Sequence, residues 1–303
     1  MKIQKSTLSI FYYWINERHR IFLRRQEGEK APWTKDPILQ TYKFTNPFRS
    51  NDRTTVWFHD IISKHYNPEY GAGNLLLNCA LFRYFGTIEF WDALREYGRR
   101  WFIDVSHKND QDIITNAAKN RMKRGERVYT GAYMINNISS TGVKAETLME
   151  RVFIPLSLDM STLSKRIAAS PQLETTFNML QTYTGFGGGG FMAYEVVTDM
   201  RHFPPLNCAS DINTWANPGP GALRGLSRLY GEKVKYADAL PLMVDLLNRC
   251  WSDGNGLDYV VPVLELRDVE HSLCEFDKYM RVQKGEGRPR SKFPKGAGGS
   301  FFE

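Results

Sequence analysis

The sequence predicts a mainly helical fold, and three observations carry that reading. Apolar residues recur at the spacing of a helical face over long stretches. Helix-boundary chemistry punctuates those stretches, with Asp36-Pro37, Ser170-Pro171 and Gly28 standing where a start or stop is needed. Two amphipathic segments are joined by a run dominated by glycine, Gly185 to Gly190.

The elements follow in order. Ser9 to Glu27 reads as a helix, with Phe11, Trp14, Ile15, Ile21 and Phe22 near helical spacing, and Gly28 and Ala31-Pro32 end it. Asp36 is placed to cap a short helix with Pro37 at its first position. Gly73 to Phe85 and Ile88 to Tyr97 read as a buried helix pair; on the first, Asn78 and Arg83 face either DNA or the edge of the core. Gly125 to Asn137 reads as either a short strand or an extended loop. Ser170-Pro171 opens a helix carrying Leu173, Phe177, Leu180 and Tyr183, and Phe191 to Met200 resumes a helix beyond the glycines. Asn217 to Arg224 is a tight loop entering a helix, and Asp238 to Trp251 and Pro262 to Val282 complete the set. One domain is expected over residues 1–293, in one body or two lobes, followed by a flexible basic tail at 294–303.

Composition narrows the function. With 303 residues and 42% hydrophobic content the chain can bury a core, which excludes wholesale disorder. No run of 18 apolar residues suggests a membrane span, and no secretory signal is evident, so a cytoplasmic location is expected. Cys79, Cys208, Cys250 and Cys274 are scattered without metal-ligand spacing, so no metal site is expected. The net charge of +7 suits an anionic partner. Basic residues gather at Arg18–Arg25, Lys119–Arg127 and Lys278–Lys295, and aromatics such as Trp33, Tyr42, Phe44 and Phe48 accompany them in the chain. That combination favours nucleic acid.

The helix, glycine-rich turn and helix between Ser170 and Met200 are similar to the motif by which helix–hairpin–helix DNA glycosylases hold a DNA phosphate. Gly185, Gly187, Gly188, Gly189 and Gly190 let backbone N–H groups approach the phosphate, and the following helix adds positive dipole charge. Arg288 and Arg290 are further candidates for DNA contact.

Three segments carry a wider resemblance. They are Trp33 to Gln40 continuing through Tyr42–Asn46 to Arg49 and Arg53; Gly185 to Arg201; and Asp268 to Tyr279 with Gly285 to Arg290 after it. Together they resemble the alpha-glutamyl/putrescinyl thymine pyrophosphorylase family of bacteriophage DNA hypermodification systems, whose members are also described as amino acid:DNA transferases. The same helical region is described as the helical domain associated with 5-hydroxymethyluracil DNA kinases. The resemblance implies a helix–hairpin–helix glycosylase-like bundle acting in host cytoplasm on double-stranded DNA that contains modified uracil. It implies a transferase that displaces pyrophosphate from the hydroxymethyl carbon with an amine, such as glycine, another amino acid or a polyamine. A separate 5-hydroxymethyluracil DNA kinase is then its functional partner, because the chain holds no G-x-x-x-x-G-K-[ST] phosphate loop. Two other readings stand beside it: a glycosylase-like enzyme that removes the base, and a non-catalytic DNA-binding partner of the kinase.

The chemistry of such a displacement assigns candidate residues. Arg49 and Arg53 suit a pyrophosphate through fork-shaped contacts, and Asn46 offers a donor and an acceptor to a uracil edge. Asp268, His271, Glu275 and Lys278 are spaced to share one helical face. Glu275 or His271 is the candidate base, with Lys278 and Arg281 holding phosphate or a carboxylate. Asp211 and Glu195 are further catalytic candidates, Asp211 by loose analogy with the glycosylase aspartate. The residues leave a metal requirement open, Mg²⁺ being the ion that commonly accompanies pyrophosphate.

Overall fold

A computed structural model of the chain describes residues 1–97, 103–129, 144–252, 256–289 and 291–293. Among them no β-strand is present, and one isolated antiparallel bridge, Tyr42 with Lys292, is the sole extended pairing. In chain order the helices are α1 (Lys5–Gln26), α2 (Pro37–Thr41), α3 (Arg53–His65), α4 (Gly71–Tyr84), α5 (Ile88–Arg95), α6 (Lys108–Lys123) and α7 (Lys144–Leu148). There follow α8 (Ile154–Leu158), α9 (Met160–Ala169), α10 (Leu173–Gln181), α11 (Phe191–Met200), α12 (Pro220–Tyr230), α13 (Tyr236–Trp251) and α14 (Leu266–Gln283). The chain divides into two compact units, residues 1–53 with 212–303 and residues 54–211.

In the first unit, α14 packs against α1, α2, α12 and α13. Glycine makes the closest of these approaches. A Cβ on Gly225 would lie 2.3 Å from the Leu273 carbonyl oxygen, and one on Gly221 would lie 2.2 Å from Cys274 Sγ, so only hydrogen at both positions lets α12 lie this near to α14. Phe276 of α14 sits edge-on to Phe11 of α1 with ring centroids 5.3 Å apart, and both are fully buried. Each such ring contributes roughly 1.5–3 kcal/mol relative to an exposed one.

Local chemistry sets the helix ends. Asp36 Oδ1 accepts from the amides of Ile38 (2.8 Å) and Leu39 (3.0 Å), so Asp36-Pro37 opens α2 as the sequence indicates. Its other oxygen accepts from Tyr279 (2.7 Å) and Tyr13 (3.1 Å), tying α2 to α14 and α1. A capping box formed by Glu265 and Asp268 starts α14, four residues later than Pro262 suggests. Gly285 ends it at φ +70°, with Glu286 and Gly285 donating to the carbonyls of Arg281 and Val282.

In the second unit, α4 is buried along nearly its whole length between α9 and α11. Gly73 packs against the Met160 carbonyl of α9, and its amide donates to Ser164 Oγ at 2.8 Å. Phe58 of α3 stacks on Phe82 of α4 at 3.9 Å. The alternatives for Asn78 and Arg83 resolve inward: both are buried, Asn78 exchanging hydrogen bonds with the backbone of Ile103. Of the ambiguous stretch at 125–137, residues 130–137 lie outside the described residues, and 126–129 form neither helix nor strand.

Candidate functional site

In the first unit, the loop over residues 42–52 and the face of α14 bring five of the candidate residues together: Asn46, Arg49, His271, Glu275 and Lys278. The loop is internally braced. Asn46 Oδ1 accepts the Phe48 amide at 3.0 Å, Asp52 Oδ1 accepts the Asn46 amide at 3.2 Å, and Arg49 Nη1 donates to Asp52 Oδ2 at 2.6 Å. Phe44 and Phe48 are buried and anchor it.

Against this loop, α14 presents His271, Glu275 and Lys278. Thr45 Oγ1 lies 2.6 Å from His271 Nε2. Glu275 Oε2 accepts the Thr45 amide at 3.0 Å and the Lys278 ammonium at 2.8 Å, and that ammonium lies 4.6 Å from the centre of the Phe44 ring. The spacing of three and four therefore does put His271, Glu275 and Lys278 on one face, but the Thr45 loop covers that face. Asp268, the fourth member, serves the capping box.

Asn46 is 1% exposed and its Nδ2 has no hydrogen-bond partner among the described residues. A buried amide donor without a partner costs about 1–3 kcal/mol. Arg49 is engaged by Asp52, and Arg53 is exposed at the first residue of α3. Arg281, expected to hold phosphate or a carboxylate together with Lys278, instead stands 3.4 Å from Asp277 Oδ2 through its Nε. Arg288 is exposed beyond α14, and Arg290 lies outside the described residues, as does the expected tail at 294–303.

The glycine turn belongs to the second unit and is fixed at both ends. Tyr84 donates to the Gly185 carbonyl at 2.7 Å, and Phe186 is fully buried with its ring centroid 5.7 Å from that of Tyr84. Gly190 caps α11 at φ +71°, where a Cβ would lie 2.4 Å from Phe177. Between these anchors Gly187, Gly188 and Gly189 are exposed, with open space where a side chain would be at Gly188 and Gly189 and only the Gln181 carbonyl oxygen near at Gly187. The turn thus offers backbone at a solvent-facing tip on a rigid base.

Asp211 and Glu195 lie in this unit too. Asp211 accepts from the amides of Leu173 and Glu174, 2.9 Å each, and so caps α10; the cap comes from here and not from Ser170. Glu195 is buried, 3.3 Å from Arg83. Arg83 also forks onto Asp199, donating from Nε at 2.6 Å and from Nη2, and His59 Nε2 lies 3.2 Å from the same carboxylate. The paired Arg83 guanidinium holds Asp199 below the usual carboxylate range against the opposing effect of burial. This Arg83–Asp199–His59 network has no signature in the sequence, since its members are 116 and 140 positions apart. Among the described residues, no three His, Cys, Asp or Glu side chains gather to hold a metal ion, and no helix is long and apolar enough to cross a membrane.

Comparison with known proteins adds the following. The family model for "5-hmdU DNA kinase, helical domain" matches residues 5–288. A curated relative, the "5-hmdU DNA kinase" of Bacillus phage SP10, is 26% identical over 309 residues. That alignment covers 93% of this chain and 47% of the relative, so the chain spans about half the relative's length. No solved structure matches. These findings overturn the expected amino acid:DNA transferase that releases pyrophosphate, and its amine substrate with it, because the matching family and relative are named for a kinase. The physical reason for the error is that a helical scaffold with acid–base residues on one face does not specify its reaction. The residue chosen as base, Glu275, is itself paired with Lys278 and the Thr45 amide.

Proposed function

The chain belongs to the family of 5-hmdU DNA kinase helical domains, and on that premise we propose that it serves phosphoryl transfer to the hydroxymethyl group of 5-hydroxymethyluracil in DNA, as the helical, DNA-engaging half of such a kinase. The observation that carries the reading is the family match over residues 5–288, nearly the full length of the chain. The absence of a G-x-x-x-x-G-K-[ST] loop from the sequence fits a division of labour. In it, a phosphate-loop segment outside these residues holds the nucleoside triphosphate and its Mg²⁺, while the helical half holds the DNA.

Each unit has a part in this reading. In the second, the exposed Gly187–Gly189 tip and the first turn of α11 grip a DNA phosphate in the manner of the helix–hairpin–helix glycosylases. In the first, Asn46 Nδ2 supplies a donor for a pyrimidine carbonyl, and the Thr45–His271 pair offers hydroxyl and imidazole to a hydroxymethyl group. Arg49, Arg53 and Lys278 supply positive charge for phosphate, each by exchanging contacts it now holds, which for Arg49 and Lys278 are the carboxylates of Asp52 and Glu275. Base removal is disfavoured by Asp211, whose two oxygens are both committed to backbone amides.

Two measurements test the proposal. Fluorescence anisotropy with duplexes of one sequence, carrying thymine or 5-hydroxymethyluracil, is expected to show binding at low salt and tighter binding of the modified duplex. A chimera in which this chain replaces the matching half of the phage SP10 relative is expected to place phosphate on 5-hydroxymethyluracil DNA. A chain that does not bind DNA, or a folded chimera that transfers no phosphate, overturns it.

A further inference from the structure

The close packing of α12 on α14 has a second product at the C-terminal ends of these helices. It sets Arg224 and Arg228 of α12 beside Asp277 of α14, a carboxylate with no solvent exposure. Arg224 Nε donates to Asp277 Oδ2 at 2.8 Å, Arg228 Nε donates to Oδ1 at 2.7 Å, and Arg281 Nε stands 3.4 Å from Oδ2. A buried carboxylate is costly unless paired, and one arginine would neutralise it. Three arginines converge on it.

The extra charge is only partly absorbed. Arg228 Nη2 also donates to Glu286 at 2.7 Å. Lys284 is exposed alongside. Four cations face two carboxylates, and the carbonyl ends of α12 and α14 each supply roughly half a negative charge. About one positive charge is left over, which is the complement of one phosphodiester. Geometry matches charge. Arg224 leans on Asp277 through Nε, Arg281 stands beside the same carboxylate, and their side chains stay 55% and 39% exposed. Arg224, Arg228 and Lys284 line an open pocket of 470 Å³ with Asp277, Gln4, Ser227 and Gly231, and Arg281 stands behind it against Asp277. Asp277 works as a peg: its hydrogen bonds fix the inner edges of the Arg224 and Arg228 guanidinium groups, so that the outer edge of Arg224 is already oriented for bidentate contact, and Arg281 adds its charge beside them.

We propose that this pocket is a phosphodiester subsite for the DNA backbone, read without regard to base sequence or modification. It rests on the DNA-engaging reading above and adds a contact that lies outside the Thr45–α14 site and the glycine turn.

The test is a triple variant, Arg224→Gln, Arg281→Gln and Lys284→Gln, which leaves the Arg228–Asp277 pair to support the fold. Anisotropy titrations on thymine and 5-hydroxymethyluracil duplexes over a range of salt are compared with wild type and with the exposed-site control Lys165→Gln. The expected result is a loss of about tenfold on both duplexes, with the slope of log affinity against log salt shallower by about 1. The charge-keeping pair Arg224→Lys and Arg281→Lys is expected to recover most of the binding. Unchanged affinity and slope in a triple variant of wild-type helicity overturns the inference and leaves the proposed function standing. A loss confined to the modified duplex overturns it as well, since a backbone contact cannot distinguish the two. If inorganic phosphate raises the melting temperature of wild type alone while DNA binding is equal in both, the pocket takes a free anion and the DNA assignment fails. A wild-type chain that binds neither duplex overturns the proposed function instead.

Discussion

Asp211 and His19 show how single buried groups set this protein's response to mutation and pH. Asp211 supplies both acceptors for the first amides of α10 from 38 and 37 positions away. Asp211→Ala is expected to destabilise the protein by about 1–2 kcal/mol, read as a lower urea midpoint at unchanged slope. The sequence does place an acceptor before this helix, at Ser170, but the working cap is remote in sequence and no local pattern reveals it. Asp36 is the opposite case: cap and capped amides are two and three residues apart, so the motif is legible by inspection. His19 is buried, and burial lowers its affinity for protons below the ordinary value of 6.5. The unfolded chain therefore binds a proton at a higher pH than the folded chain. Stability contributed by neutral His19 is present above about pH 6.5 and is lost as pH falls below it. Urea midpoints measured at pH 7.5 and 5.5 are expected to fall further for wild type than for His19→Gln; equal decreases would remove His19 from the account.

At the level of helices, the most restrictive contact is α12 on α14. Gly225→Val is expected to cost at least about 1–3 kcal/mol, because the new side chain meets the Leu273 backbone and cannot rotate away. The same class of change at the glycine tip has a different outcome. Gly187→Ala, with only the Gln181 carbonyl oxygen near at 3.6 Å, is expected to leave thermal stability within about 0.5 kcal/mol of wild type while weakening DNA binding, if the tip meets phosphate as proposed. Calorimetry and anisotropy on the two variants separate packing glycines from exposed ones. The sequence shows these glycines but not their roles, since what a Cβ at Gly225 would meet is a carbonyl 48 positions away on another helix. Periodicity made the helices around α1, α4, α5 and α10 to α14 legible, whereas α3, α6, α7, α8 and α9 were not picked out, and starts such as Lys5 and Leu266 moved because tertiary contacts and a capping box fix them. The shared face of α14 was legible from spacing alone. Its cover, the loop carrying Thr45, was not, because the contact joins residues 226 to 230 positions apart.

For the chain as a whole, the proposed DNA binding together with the charge of +7 predicts an affinity for DNA that falls steeply with salt. Binding that is insensitive to salt between low and physiological ionic strength would show that the basic surface is not the DNA contact. Helical class was legible from composition and periodicity, while the reaction was not, because one helical scaffold supports different chemistries and only the comparison with relatives separates them. The first unit is built from two stretches of chain, 1–53 and 212–303, with the second unit encoded between them. During synthesis α1 and α2 leave the ribosome long before α14, whose Phe276 packs on Phe11 and whose Tyr279 donates to Asp36, has been translated. Residues 54–211 can collapse first as a continuous segment, while the early helices wait with apolar faces uncovered. The nascent chain is thus most open to misassembly and chaperone capture in that interval. Slow codons placed before residue 212 would lengthen that exposure and lower the yield of folded protein.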